Sequence, residues 1–234
     1  MKSLESKLKR WQILHTNQEN RKEGLFGFDK FIEEALKDTV PCRSEAQTML
    51  NCLKHCDLDS GICLELGTYL GRTANALGVL LSALSPGTKL YTIDSFEGLP
   101  ECWRDGFPRG TFALTEDLRP QLLSNIEQVT GSFEEALPSL LKRLESEAEG
   151  QKLKIAFLHI DCDLYSSTRA ALEILAPHIV SGTVILFDEF GNYPGWQDGE
   201  FKAFSEFLEF KNRKLEVHYL CRNIHHQAVG LKIL

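Results

Sequence analysis

Apolar residues recur at intervals of three and four in FDKFIEEALKDTV and SEAQTMLNCLKHC, with Pro41 between the two runs, so residues 1 to 60 read as helices. From Ile62 the period changes. ICLELGT is a short apolar strand ending in glycine, GRTANALGVLLSAL returns to helical spacing, and KLYTIDSF is a second strand. The alternation continues through EQVTGSF, EEALPSLLKRLESEAE, KIAFLHIDCD, SSTRAALEILAPHI, GTVILFDEF and FKAFSEFLEFKNR. Repeated strand-helix-strand crossovers predict an α/β fold, a mainly parallel sheet with helices on both faces. KLEVHYLCRN and HHQAVGLKIL leave almost no room for a helix between them and predict an antiparallel hairpin at one edge. The expected organisation is an N-terminal helical extension over 1–60 and one domain over 61–234.

Composition narrows the class. A chain of 234 residues, 43% of them hydrophobic, is long enough to bury one sizeable core. A net charge of -7, with no long run of Lys and Arg, argues against nucleic-acid phosphates as partners and favours small-molecule chemistry. The opening segment MKSLESKLKRWQILHTNQENRKE has no continuous apolar core, so it predicts neither a secretory signal nor a membrane span, and a cytoplasmic protein is expected. Seven cysteines at irregular spacing do not describe a disulfide framework. Cys52 and Cys56 are four apart, but no second pair with zinc-ligand spacing accompanies them. A homo-oligomer is left open.

The densest chemistry lies in HIDCDLYSST, His159 to Thr168, where Asp161 and Asp163 end an apolar strand. Asp188 and Glu189 end the next one. In an open α/β sheet the carboxyl ends of neighbouring strands border the ligand crevice, so these acids should face one volume. Their mutual repulsion calls for a hard cation, which makes Asp161, Asp188 and Glu189 a candidate magnesium site, with other divalent ions possible. Cys162 points away from the acids in an extended strand. The tandem His225 and His226 fall on the last predicted strand facing opposite ways, and are not expected to join the metal.

A second signal sits at the first strand-to-helix turn. In LELGTYLGRT, Gly67 permits a tight turn and Gly71 precedes a helix whose free amides favour an anion. The third glycine of the dinucleotide fingerprint is absent, and Glu65 before the turn suits a cofactor ammonium better than a pyrophosphate. Asp94, ending the second strand, stands where such folds place an acid for ribose hydroxyls. Ser132 and Phe133 follow the third strand, where they offer a purine ring a polar group and an aromatic edge; Phe133 reads equally well as core. Between Phe96 and Arg119 runs a long connection rich in Gly, Pro and aromatics, including Trp103 and Phe107, with the length of a lid.

The ordered strings LELGTYLGRTAN, YTIDSFEGLP, GSFEEALPSL, HIDCDLYSST and VILFDEFGNYPGW resemble class I S-adenosylmethionine-dependent methyltransferases of the macrocin-type sugar O-methyltransferase family. The resemblance implies a Rossmann-like, seven-stranded sheet, with S-adenosylmethionine at the first three strand ends and a divalent cation at the fourth and fifth. It assigns Glu65, Gly67, Thr68, Gly71 and Thr73 to the methionine end, Asp94 and Ser95 to the ribose, and Ser132 and Phe133 to the adenine. Asp161, Asp188 and Glu189 also resemble the metal triad of catechol-type O-methyltransferases. Those enzymes place a lysine base shortly after the fourth-strand Asp, where this chain has Leu164. The segment GNYPGWQDGEFKAF also departs from the macrolide enzymes, at the place where the acceptor pocket is expected.

The implied reaction is methyl transfer to a hydroxyl of a small sugar, polyketide or phenol, with the metal acidifying that hydroxyl. His159, Asp161 and Asp163 alternate along one strand and share a face if it stays regular. Asp163, or another acid not committed to the metal, is then the expected base with His159 behind it, although His159 inside an apolar run also reads as a core histidine. Three rival classes remain: a nucleotide-binding oxidoreductase, a non-catalytic S-adenosylmethionine-binding protein, and a metal-dependent hydrolase.

Overall fold

The structure is a computed structural model that describes residues 28–148, 150–210 and 215–234. The charged opening segment lies outside the described residues. Among the described residues eight strands form one sheet: β1 (Val40–Cys42), β2 (Ile62–Leu66), β3 (Leu90–Asp94), β4 (Ile126–Thr130), β5 (Ile155–Ile160), β6 (Val184–Phe187), β7 (Val217–Asn223) and β8 (Val229–Ile233). Their spatial order is β1-β7-β8-β6-β5-β2-β3-β4, and β8 is the one strand that runs against the rest. β5 is buried at all six positions and β6 at all four, as expected of parallel strands covered on both faces.

The helices are α1 (Phe28–Glu34), α2 (Glu45–Leu53), α3 (Arg72–Leu84), α4 (Phe133–Glu147), α5 (Tyr165–Leu175) and α6 (Glu200–Glu209). Leu137, Leu172 and Phe204, from α4, α5 and α6, pack on one side of the sheet against Leu158, Ile160 and Phe187. Met49 and Leu77, from α2 and α3, cover the other side over Phe157 and Leu186. Two separate apolar layers thus sandwich the sheet.

The sheet has eight strands rather than seven. Val40–Cys42 lies within the stretch read as helical, yet it pairs in parallel with β7 at the sheet edge. Three residues are too few to display a period of two, and Pro41 is tolerated because an edge strand need not donate every amide. α2 and β1 therefore build the described part of the N-terminal stretch into the main sheet and core. Among the described residues no helix is long and apolar enough to cross a membrane.

Chain order explains where a ligand can enter. From β2 the chain builds outward through β3 to β4, then returns to place β5 and β6 on the opposite side of β2. The order reverses between β2 and β5, and a crevice opens beyond the carboxyl ends of strands at such a reversal.

Candidate active site

Gly67 occupies the reversal point. Its φ is +96°, and a Cβ there would stand 1.9 Å from the Asp161 carbonyl oxygen, so only glycine lets the β2 turn lie against the end of β5. The backbone ladder continues past both strands: the Gly67 amide donates to Ile93 O at 2.9 Å, and the Asp161 amide to Leu66 O at 2.9 Å. The two predicted clusters are thus in backbone contact.

Asp94 braces the next turn. Its Oδ2 accepts the amides of Thr68 (2.9 Å) and Tyr69 (2.8 Å), and its Oδ1 accepts the amide of Phe96 (2.7 Å). A carboxylate offers about four acceptor positions, so about one remains for a ligand hydroxyl. α3 follows Gly71 without a side-chain cap, and the positive end of its dipole favours an anion there.

One cavity of about 1470 Å³ joins these features to the acids. Single-ligand pockets are commonly about 300–1,000 Å³, so this one has room for two ligands together. Gly67, Thr68, Thr73, Asp94, Ser95, Ser132, Phe133, Asp161, Asp163, Asp188 and Glu189 all line it. The structure brings these eleven expected site residues together from five strand ends.

Glu65, Gly71 and His159 are not part of the lining. Glu65 and His159 are both 0% exposed, and the His159 ring N-H (Nδ1) donates to Glu65 Oε1 at 3.1 Å. Glu65 Oε2 accepts Thr92 Oγ1 at 2.8 Å, and Thr92 Oγ1 lies 2.5 Å from Thr68 Oγ1, so Glu65 acts on the cavity wall through two hydroxyls. His159 is thus buried in the core and does not border the cavity, and its Nε2 has no partner among the described residues. Gly71, at φ +70°, fits its turn under Pro120 and Leu122, where a Cβ would meet carbons at 2.7 and 2.8 Å.

The expectation that His159, Asp161 and Asp163 share a strand face also fails. β5 ends at Ile160, and Asp163 adopts φ +65°, which turns it out of the strand direction. The Cys162 thiol turns to Thr168 Oγ1 at 3.4 Å. His225 and His226 stand in the turn between β7 and β8, not on a strand, and both border the cavity.

Carboxylate oxygens of Asp161, Asp188 and Glu189 lie within 4.8 Å of one another. Burial, followed by the Asp188 charge, pushes the Asp161 and Glu189 carboxyls well above the ordinary range. Asp163 is pushed up to about 7, by burial first; Arg104 opposes the rise and Asp188 adds to it. Glu189 Oε2 is buried with no partner among the described residues. Converging hard oxygens, mutual repulsion and an unpartnered buried oxygen together fit a divalent cation.

Several site residues carry no clear signal in the chain. Tyr69, Phe112, Asn192 and Tyr193 border the cavity, and Glu200 lies buried behind the acids. Arg104 sits in the expected lid, its guanidinium 3.7 Å from the Trp103 ring centre and 5.3 Å from those of Phe107 and Tyr193. The lid is ordered by its own bonds: Leu99 N to Thr111 O at 2.8 Å, Gly110 N to Leu99 O at 2.8 Å, and Trp103 N to Phe107 O at 3.0 Å. Ser166 Oγ donates to Glu101 Oε1 at 2.5 Å and fastens it to α5. The alternating aromatics and glycines of the connection were the available clue to this wall; Glu200 falls within GNYPGWQDGEFKAF, where the acceptor pocket is expected, but just before the helical pattern that begins at Phe201, with no motif to single it out.

The chain is similar in sequence and fold to several known proteins. A curated relative from Streptomyces olivaceus, 8-demethyl-8-(2,3-dimethoxy-alpha-L-rhamnosyl)-tetracenomycin-C 4'-O-methyltransferase, is 28% identical over 140 residues, which span 56% of this chain and 53% of the relative. The chain thus spans about half the length of that relative. Among solved structures, the calicheamicin methyltransferase CalS11 superposes with a TM-score of 0.59 at 22% identity, over 78% of this chain and 76% of that one. The O-methyltransferase NovP gives 0.55 at 21% identity, over 80% and 78%. At these identities the two structures show a shared fold. The family model described as "Methyltransferase domain" matches residues 64–190, more than half of the 234 residues, and the chain belongs to that family.

Proposed function

We propose that the protein transfers a methyl group from S-adenosylmethionine to a hydroxyl of a small sugar or polyketide acceptor, assisted by a divalent cation. The observation that carries this reading is the single cavity in which the Gly67 and Asp94 turns face the triad Asp161, Asp188 and Glu189. The curated relative acts on a rhamnosyl group of a tetracenomycin, which supports a glycosylated polyketide as the acceptor class.

In this reading Gly67, Thr68, Thr73 and the N-terminal end of α3 receive the methionine end, Asp94 and Ser95 the ribose, and Ser132 and Phe133 the adenine. Asp161, Asp188 and Glu189 hold the cation, magnesium being the fitting ion for hard oxygen ligands. When bound, the sulfonium cofactor supplies the electrophilic methyl group and the cation lowers the pKa of a hydroxyl held against it.

The chain's own residues supply position and proton transfer. Trp103, Phe107 and Tyr193 form an apolar wall that excludes water from the acceptor side, and Arg104 brings a positive charge towards Glu189 and Asp163. Asp163, beside the triad and facing Arg104, is the carboxyl not committed to the cation and so the one placed to take the acceptor proton. Glu65 and His159 fix Thr68 from behind.

The test is S-adenosylhomocysteine release with a rhamnosylated polyketide, its aglycone and a simple catechol, each with magnesium or with a chelator. Turnover of the rhamnosylated acceptor alone, lost on chelation, supports the full reading. Preference for catechol would move the acceptor class to phenols. No release with any hydroxylated acceptor, despite cofactor binding, would favour the non-catalytic binding protein.

A further inference from the structure

Glu200 is the first residue of α6 and is 0% exposed. Its Oε2 accepts the Glu189 amide at 3.1 Å, the Cys162 backbone lies close enough to favour its charged form, and its Oε1 is buried with no partner among the described residues. Cys162 stands between Asp161 and Asp163, so one carboxyl is bonded to the segment after β6 and lies against the segment after β5. The two segments carry the three acids whose oxygens converge, a group that does not include Glu200. Gly199, immediately before it, leaves α6 without a side-chain cap, and the positive end of the helix favours an acid here. A buried carboxyl beside other acids opposes its own burial. The Glu189 amide and the helix end offset part of that cost.

We propose that Glu200 is a positioning residue that sets the spacing between Asp161 and the pair Asp188 and Glu189, and thereby the affinity of the site for a divalent cation. The proposal rests on the metal reading above. Second-layer groups that orient ligands change metal affinity by about 10–100-fold when removed. Glu200 does this through the Glu189 amide and its packing beside Cys162, so reach matters more than charge.

The experiment titrates the full chain with manganese chloride in the presence of S-adenosylhomocysteine and reads bound metal by electron paramagnetic resonance. Cofactor affinity is measured in parallel by calorimetry. Glu200→Asp keeps the charge but shortens the reach, and is expected to weaken manganese binding at least tenfold while cofactor affinity stays within twofold. Glu200→Gln keeps the reach and one acceptor oxygen, and is expected to stay within threefold of the unmodified protein. Manganese affinity unchanged in Glu200→Asp, or Glu200→Gln as weak as Glu200→Asp, would overturn the positioning role. Equal loss of manganese and cofactor binding would reduce Glu200 to general structural support and overturn it too. Absence of manganese binding by the unmodified protein would overturn the metal reading and this inference with it.

Discussion

Replacing Asp94 by alanine removes the acceptor of three backbone amides at once, those of Thr68, Tyr69 and Phe96. Hydrogen bonds to a charged group contribute about 1.5–3 kcal/mol each, which would suggest about 5 kcal/mol or more if they added independently. They share one anion, and Asp94 borders the cavity, so water can reach part of what is exposed. About 1 kcal/mol per amide, or about 3 kcal/mol in total, is the better expectation. For a domain of this size that is a fall in Tm of about 6–12 °C.

Asp94→Asn separates the donors. Its amide oxygen can still accept Thr68 and Tyr69, while its NH2 then faces the Phe96 N-H, donor against donor, for a loss of about 1–2 kcal/mol. Urea denaturation followed by circular dichroism, with and without S-adenosylhomocysteine, measures both variants. The cofactor should stabilise the unmodified protein more than either variant, because the remaining acceptor position of Asp94 is lost in alanine and reversed in asparagine. An Asp94→Ala protein within 0.5 kcal/mol of the original stability, on the scale of an ordinary surface substitution, would refute the brace.

Chelation is expected to abolish turnover while cofactor affinity stays within about threefold, since the proposed cofactor contacts gather on β2, β3 and β4; calorimetry in a chelator checks this. Asp188→Asn should likewise stop turnover, and should raise the metal-free Tm because Asp188 is the leading charge acting on both Asp161 and Glu189; a lower metal-free Tm would count against repulsion at the triad. The folded-state pKa of Asp163, about 7, lies above the ordinary value near 4, so the folded form keeps a proton that the unfolded form has lost between those values. Metal-free stability from this group is therefore full below about pH 4 and falls as pH rises through about 7, by at most about 4 kcal/mol; denaturation curves whose pH slope is unchanged in Asp163→Asn would refute the assignment. Amide exchange across Glu97 to Leu118 should slow when cofactor and acceptor bind together, and equal exchange with and without them would make the lid a fixed wall.

The parallel sheet was legible because its strands are long apolar runs between helices of clear period, and IAFLHI and VILF are buried at every position as such runs require. β1 was not, since VPC is too short to show alternation and contains a proline. The acids were legible because they end adjacent strands, so strand order alone brings Asp161, Asp188 and Glu189 together. What strand order does not give is depth. Glu65 and His159 precede the turn by a residue or two and therefore stay in the core, bonded to each other, whereas Thr68 and Asp161 lie just past the strand ends and reach the cavity. The edge between core histidine and reachable base is one turn of backbone.

That turn is also where regular periodicity stops applying. Among the described residues, five that are not glycine adopt positive φ: Tyr69, Phe96, Phe112, Asp163 and Asn192. Four of them line the cavity, and the fifth, Phe96, donates its amide to Asp94 in the cavity wall. Such a backbone costs about 1–3 kcal/mol per residue and persists where surrounding bonds hold it. Here the holders are identifiable: Asp94 for Tyr69 and Phe96, the aromatic contact of 5.1 Å between Tyr69 and Phe112, and the Asn192 bond to His226 O at 3.4 Å. An extended-strand reading of HIDCDLY necessarily misaims Asp163, because the chain leaves the strand before it arrives. The same departure carries Asp163 out of the sheet to face Arg104 and Asp188, and this placement makes it the proposed base where His159, still inside the regular strand, is not. Local pattern and tertiary position disagree where binding groups must leave the sheet, which ties the failure of the regular reading to the site itself.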